Sequence, residues 1–226
     1  MNTELPFINI KAQSNHHAIF LMLTAVFVTF TTLAFSQGHW LQFKLVLIFI
    51  YLSALVVFIT GLAKYLEPIY SLRLSPKGIY YHHRYGRWQL DWQQIQRIAL
   101  MNETYGLTQV QPPYIAIRLL DLSVLPNQIS PRLANRLIHE QRPLIALAIR
   151  LDYLTLEQSQ LNFDPYILPS GEVLKGPIAA FMHHTTLLHS ALGYHLFLPQ
   201  TALDRELNEF CSLLIKCKQY SVQYNE

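Results

Sequence analysis

The sequence predicts an α+β chain: two apolar helices near the N-terminus, an antiparallel β meander, inserted helices and a closing amphipathic helix. Three observations predict it. Ala18–Phe35 and Leu45–Leu62 are each 18 residues long without a charge, and at about 1.5 Å per residue each nearly crosses a bilayer's hydrocarbon core. From Leu72 onward, apolar and polar residues alternate with the period of half-buried strands. From Leu203, apolar residues return at offsets of four, seven, eight, eleven and fourteen, the spacing of one helix face.

The second apolar run is the stronger membrane candidate. It holds thirteen Leu, Ile, Val or Phe residues, each favouring insertion by about 0.3–0.6 kcal/mol at a helix centre. The first holds ten, together with Thr24, Thr29, Thr31 and Thr32. Threonine hydroxyls can bond a carbonyl one turn back, so they are tolerated in lipid and can mark a helix–helix face. Ala34-Phe35-Ser36 has the small-x-small pattern of a signal-peptide cleavage site. The stretch before the run, however, is long and carries only Lys11 as a base, and the run exceeds an ordinary h-region. Two spans separated by Ser36–Lys44 therefore read as a hairpin.

Orientation follows from the flanks. The intervening loop offers Lys44 alone, whereas Lys64, Arg73, Lys77, Arg84, Arg87 and Arg97 follow the second span against Glu67 and Asp91. Basic residues stay inside. The expected organisation is a cytoplasmic N-terminal segment at 1–17, membrane helices at 18–35 and 45–64, an external loop at 36–44, and a cytoplasmic domain at 65–226. The localisation this implies is a membrane, multi-pass, with both termini cytoplasmic.

Pro68 should close the second helix, since proline disfavours helical geometry in the residue before it. Leu72-Arg73-Leu74 and the turn Ser75-Pro76-Lys77-Gly78 open the meander. Ile79, Tyr81, His83 and Tyr85 alternate with Tyr80, His82 and Arg84. Trp88, Leu90 and Trp92 then alternate with Arg87, Gln89 and Asp91. Ile95–Leu100 and Tyr114–Leu120 read as further strands around a polar stretch at 102–113. Ser130-Pro131 starts a helix, with serine as cap and proline at its first position. Leu144–Leu151 is apolar but too short to choose between helix and strand. A helix is expected over Glu172–Leu192, kinked or truly begun by Pro177 and stopped by Gly193. Tyr194–Leu198 returns to strand, and the last helix begins near Thr201–Asp204.

Leu72-Arg73-Leu74-Ser75-Pro76-Lys77-Gly78-Ile79-Tyr80, with Gly86-Arg87-Trp88-Gln89-Leu90-Asp91-Trp92-Gln93-Gln94-Ile95, resembles the opening strands of bacterial pleckstrin-homology-like domains. The closing strand and helix, Tyr194–Cys217, resemble the end of such domains. The resemblance implies a pleckstrin-homology-like antiparallel β domain after a transmembrane helical hairpin. The helical insertion at about 122–193 departs from that layout of seven strands and one helix. The whole chain also resembles an uncharacterised bacterial membrane family, a domain of unknown function. Ser130-Pro131-Arg132-Leu133-Ala134-Asn135-Arg136-Leu137, Leu192-Gly193-Tyr194 and Ala202-Leu203-Asp204-Arg205 carry that likeness. It implies no activity.

Composition narrows the function. Hydrophobic residues are 51% of the chain and charged residues 14%, and the net charge of +3 is too small to argue for nucleic acid. Cys211 and Cys217 fall on the apolar side of the last helix, where reduced, core-facing thiols are expected. Ten histidines invite a metal, but His82-His83 point to opposite strand faces, and His184 and His189 are five apart, not three or four. His16-His17 precede the first span. No Gly-x-Ser-x-Gly, His-Glu-x-x-His or phosphate loop is present. No catalytic residue, metal or cofactor is therefore assigned.

Basic side chains give the site expectation. Lys64, Arg73, Lys77, Arg84 and Arg87 lie on the membrane-proximal meander and are expected to contact phospholipid headgroups, each adding up to about 1 kcal/mol near an anionic leaflet. Arg132 and Arg136 are candidate contacts for an acidic partner, or partners for Glu140 one turn on. The leading reading is a non-enzymatic, membrane-anchored interaction or scaffold module. Its expected partners are membrane phospholipid and another membrane or cytoplasmic protein, with room for a homo-oligomer. An alternative is a lipid- or small-ligand-binding sensor whose cavity is lined by Tyr80, Tyr81, Trp88 and Trp92. A third is a hydrolase using His183 or His184 with Ser190.

Overall fold

The computed structural model describes residues 7–11, 18–66, 70–105 and 108–224. His16-His17, Glu67 and Pro68 lie outside the described residues. The chain divides into two compact units, Gln13–Ile69 and Met1–Ala12 with Tyr70–Glu226.

The first-named unit is one helical segment, α1 (Ala18–Tyr65), broken only at Phe43 with φ −119° and ψ 20°. The external loop expected at 36–44 is therefore helical apart from that residue. No proline interrupts it, Ser36 Oγ donates to the Leu33 carbonyl at 2.8 Å, and Phe35 stacks on His39 at 4.6 Å. These one-turn contacts carry the helix through. The segment is long and apolar enough to cross a membrane, with mean hydropathy 2.7 over 18 residues. Thr24, Thr29 and Thr32 bond the carbonyls four residues back, at 2.9, 2.8 and 2.7 Å.

Burial along α1 is sparse and periodic. Ala18, Ala25 and Thr32 are buried on one side of Phe43, and Leu47, Ala54 and Gly61 on the other. Each follows the last by seven residues, the repeat of a helix–helix seam. A Cβ at Gly61 would run into the Met22 side chain and approach the Ala18 carbonyl at 3.2 Å. The last turns of α1 thus lie against its first turns, and a small residue permits that approach.

The other unit holds two main antiparallel sheets. The first has the order β1 (Ile8–Ile10), β2 (Leu72–Leu74), β3 (Gly78–His83), β4 (Gly86–Asp91). Strand β1 was not anticipated. It comes before α1 in sequence and pairs with β2, which comes after it, in the register Ile8↔Leu74 and Ile10↔Leu72. Ser71 N donates to the Ile10 carbonyl at 2.9 Å, closing the seam. The turn between β2 and β3 is held by Ser75, whose backbone N donates to the Gly78 carbonyl at 3.0 Å. A Cβ at Gly78 would overlap the Leu90 carbonyl on β4, so glycine is what this pairing tolerates.

A short 3-10 turn, Trp92–Gln94, leads to the second sheet. There β5 (Ile95–Leu100) and β11 (Leu196–Pro199) flank β8 (Tyr114–Leu119). The polar stretch at 102–113 contains a further strand pair, β6 (Glu103–Tyr105) with β7 (Thr108–Val110). The insertion consists of α2 (Leu125–Gln128), α3 (Pro131–Glu140), α4 (Arg142–Arg150), the pair β9 (Tyr166–Ile167) and β10 (Val173–Leu174), and α5 (Gly176–Leu192). Ser130 caps α3 by accepting from Leu133 N at 3.4 Å. The ambiguous run at 144–151 is helix α4. Helix α5 starts at Gly176, four residues later than expected. Pro177 marks its true beginning, and Gly193 ends it at φ 79°.

Helix α6 (Leu207–Tyr224) closes the chain. Leu203, Leu207, Phe210, Cys211 and Leu214 are buried on its inner side, and Cys217 is partly buried. The main core joins the inner face of the first sheet, one face of the second, α3 and α6, around Tyr81, Trp88, Trp92, Phe181 and Phe210. A second core lies behind β8, where Tyr114, Ala116 and Phe197 meet Leu144, Ala148, Leu188 and Leu192. Burying each large apolar side chain in these cores contributes about 1.5–3 kcal/mol.

Candidate functional site

Strand alternation in the first sheet sets its chemistry. Leu72, Leu74, Ile79, Tyr81, Trp88 and Leu90 fill the core, so the intervening Arg73, Tyr80, His82, Arg87 and Gln89 share the outer face. Pairing places His82 directly opposite Arg87, and Tyr80 between Arg73 and Gln89. At one border of this face α2 comes up against β4. Between them lies a pocket of about 300 Å³ whose outer-face lining is Tyr80, His82, Arg87 and Gln89, with Asn127 and Gln128 from α2 and parts of the core residues Tyr81 and Trp88. No carboxylate lines it.

The electrostatics of the face are positive. Burial, then Arg87 and Arg73, hold the His82 imidazole below its ordinary pKa. A backbone hydrogen bond with Tyr80 opposes that shift in part. Arg73 lies over the Phe7 ring at 3.8 Å from the ring centre, a cation–π contact with the residue just before β1. Arg87 is exposed and makes no ion pair among the described residues.

The five basic residues expected at a membrane surface are not gathered into one patch. Arg73 and Arg87 share the outer face. Lys77 sits in the β2–β3 turn and Arg84 in the β3–β4 turn, at opposite ends of β3, about 20 Å apart along a six-residue strand. Lys64 belongs to the last turn of α1. Arg132 is exposed on α3. Arg136 is committed to Glu140 at 2.7 Å and lies over the Tyr85 ring at 5.5 Å.

The rings considered for an apolar cavity divide. Tyr81, Trp88 and Trp92 belong to the packed core, and Trp92 Nε1 donates to the Ser75 carbonyl at 2.8 Å. Burial, then Glu140, raises the Tyr81 hydroxyl well above its ordinary range. Tyr80 faces the polar pocket.

The residues considered for hydrolysis do not converge. Ser190 Oγ donates to the Leu187 carbonyl of its own helix at 2.8 Å. It lies nearly two turns of α5, about 9–10 Å of rise, from His183 and His184. His183 Nε2 is 3.1 Å from the Asp164 carbonyl. His184 is buried against Gln141 Oε1 at 3.2 Å, and burial lowers its pKa to about 4.

His195 also titrates near 4, through burial, then His189 and Arg118. Its Nδ1 accepts from Leu119 N at 3.0 Å, which requires that nitrogen to be unprotonated, and its ring stacks on His189 at 4.0 Å. Among the described residues no group of three or more His, Cys, Asp or Glu is placed to hold a metal. Burial raises both Cys211 and Cys217, so neither thiol is activated.

The sequence reading missed Gln89, Asn127 and Gln128 as site residues. Gln89 was within reach, because alternation puts it beside Arg87. Asn127 and Gln128 carried no local signal, since only the return of the insertion brings them to β4.

Two antiparallel sheets with a helical insertion, carried with one long apolar helical segment, define an α+β protein with a candidate membrane anchor. Residues 72–220 match the family described as protein of unknown function (DUF2982), and the chain belongs to that family. The matched stretch begins at β2 and so leaves out β1 and α1. No curated protein and no solved structure matches the chain.

Proposed function

We propose that the chain is a non-enzymatic interaction or scaffold module, in which a two-span hairpin anchors a pleckstrin-homology-like domain to the cytoplasmic face of a bacterial inner membrane. The observation that carries the anchoring is the β1–β2 seam. The chain leaves the sheet at Ile10 and rejoins it at Ser71, and these two residues are hydrogen-bonded. A segment that starts and finishes at one seam can traverse a bilayer only an even number of times. The break at Phe43 and the approach of Gly61 to Ala18 support two crossings.

Four strands in one sheet, three in the other and a closing helix support the pleckstrin-homology-like layout. Arg73 and Arg87 on the outer face, with Lys64, Lys77 and Arg84, supply the attraction to phospholipid headgroups. Arg132, exposed on α3, is offered to an acidic partner. Restriction to two dimensions raises the domain's effective concentration near membrane partners, so weak contacts suffice.

Fusions test the topology. Green fluorescent protein ahead of Met1 or after Glu226 should fluoresce, alkaline phosphatase there should be inactive, and a Gly38→Cys chain should react with an impermeant maleimide from outside the cell. Active phosphatase after Glu226, or a chain that fractionates as soluble without detergent, overturns the anchoring. Proximity labelling from the C-terminus tests the module, and failure to enrich any neighbour over a membrane-tethered control overturns that part.

A further inference from the structure

The outer-face pocket has a composition that the anchoring role does not need. Arg87, Gln89, Asn127, Gln128, Tyr80 and His82 can all donate a hydrogen bond, and no lining side chain is a carboxylate. A guanidinium with amide donors around it and no resident counter-charge is matched by an anion with several acceptor oxygens. Arg73, on the same face, adds positive potential from beneath Phe7. A volume of about 300 Å³ lies at the small end of ligand pockets, which suits a compact headgroup rather than a dinucleotide.

We infer that the pocket between β3, β4 and α2 binds a phosphate ester, with Arg87 as the charged anchor and Gln89, Asn127 and Gln128 orienting the remaining oxygens. The ester is either the headgroup of an anionic phospholipid or a soluble phosphate compound, because both present the same oxygens. The site goes beyond the scaffold reading and does not depend on the membrane topology, whose failure the fusions report separately.

The test uses the full chain in neutral detergent, titrated with glycerol 3-phosphate by calorimetry, and in mixed micelles of phosphatidylcholine and phosphatidylglycerol by native mass spectrometry. Saturable binding of one equivalent is expected, weakened at least tenfold by Arg87→Gln and by Asn127→Asp. Lys216→Gln, an exposed charge on α6 away from the pocket, should leave it within about twofold. Both pocket positions are exposed, and unchanged melting curves establish that the variants fold. Binding of glycerol 3-phosphate supports the site with a soluble ligand, and selective retention of phosphatidylglycerol alone supports it with a lipid. Saturable binding of neither probe overturns the inference, as does equal weakening by Lys216→Gln, which would make the attraction diffuse.

Discussion

Along β2 and β4 of the first sheet burial alternates, whereas along β8, the central strand of the second, it is almost continuous. Residue by residue, β2 and β4 switch between covered and exposed, but five of the six residues of β8 are buried. The difference comes from the insertion. Helices α4 and α5 close the back of β8, as the contacts of Ala116 with Leu144, Ala148 and Leu188 in the second core describe. Beside α2 a pocket interrupts the exposed outer face of the first sheet. A sheet covered on both sides works as scaffold, and one with a polar face left open can meet ligands.

Charge at equivalent depth should break this contrast most sharply. Ala116→Asp places a carboxylate between sheet and insertion, and an unpaired buried charge costs more than the ~5–15 kcal/mol of total stability can absorb. No folded chain is expected by fluorescence-detected size exclusion. Gln89→Glu on the open face should stay within about 0.5 kcal/mol in stability.

Next in size are cavities. Leu144→Ala on α4 and Ile10→Ala on β1, both fully buried, should each cost about 2–5 kcal/mol in urea unfolding. A near-neutral Ile10→Ala would mean that β1 is not integral to the first sheet.

Acid should act on the insertion before the open sheet. His184 and His195 are held neutral with pKa values of about 4, against about 6.5 in an unfolded chain. Their contribution is therefore complete above pH 6.5 and declines as pH falls from about 6.5 to about 4. Melting temperature should drop through that window, and proton-exchange protection should fail first in α5 and β11. A flat profile would contradict this.

The smallest effect is expected from Arg136→Gln. Its pair with Glu140 is an exposed contact one turn apart, worth about 0.3–0.5 kcal/mol in thermal unfolding.

Strands of both sheets were legible: β2 to β4 from their alternation, and β5, β8 and β11 close to their expected ranges. The alternation over 79–92, the Ser130 cap and the glycine stop at 193 all express local rules, and each is found near its expected place. The run at 144–151 stayed ambiguous because a segment buried on most sides loses its polar markers. Strand β1 was overlooked because three residues carry too little pattern and its partner lies more than 60 positions away. The pocket was legible only in part. Arg87 was singled out by charge, whereas Asn127 and Gln128 acquire meaning solely through tertiary return.

The seam between Ile10 and Leu72 also orders events at the ribosome. The first strand leaves the exit tunnel well before its mate, and both greasy stretches must be synthesised in between. The sheet edge can therefore be sealed only once the apolar segment has been made and accommodated, so the settling of that segment and domain maturation become one coupled process. A fragment beginning at Leu72 would leave β2 as a bare edge, a template for pairing between chains. Its aggregation would report a missing neighbour rather than an unstable fold.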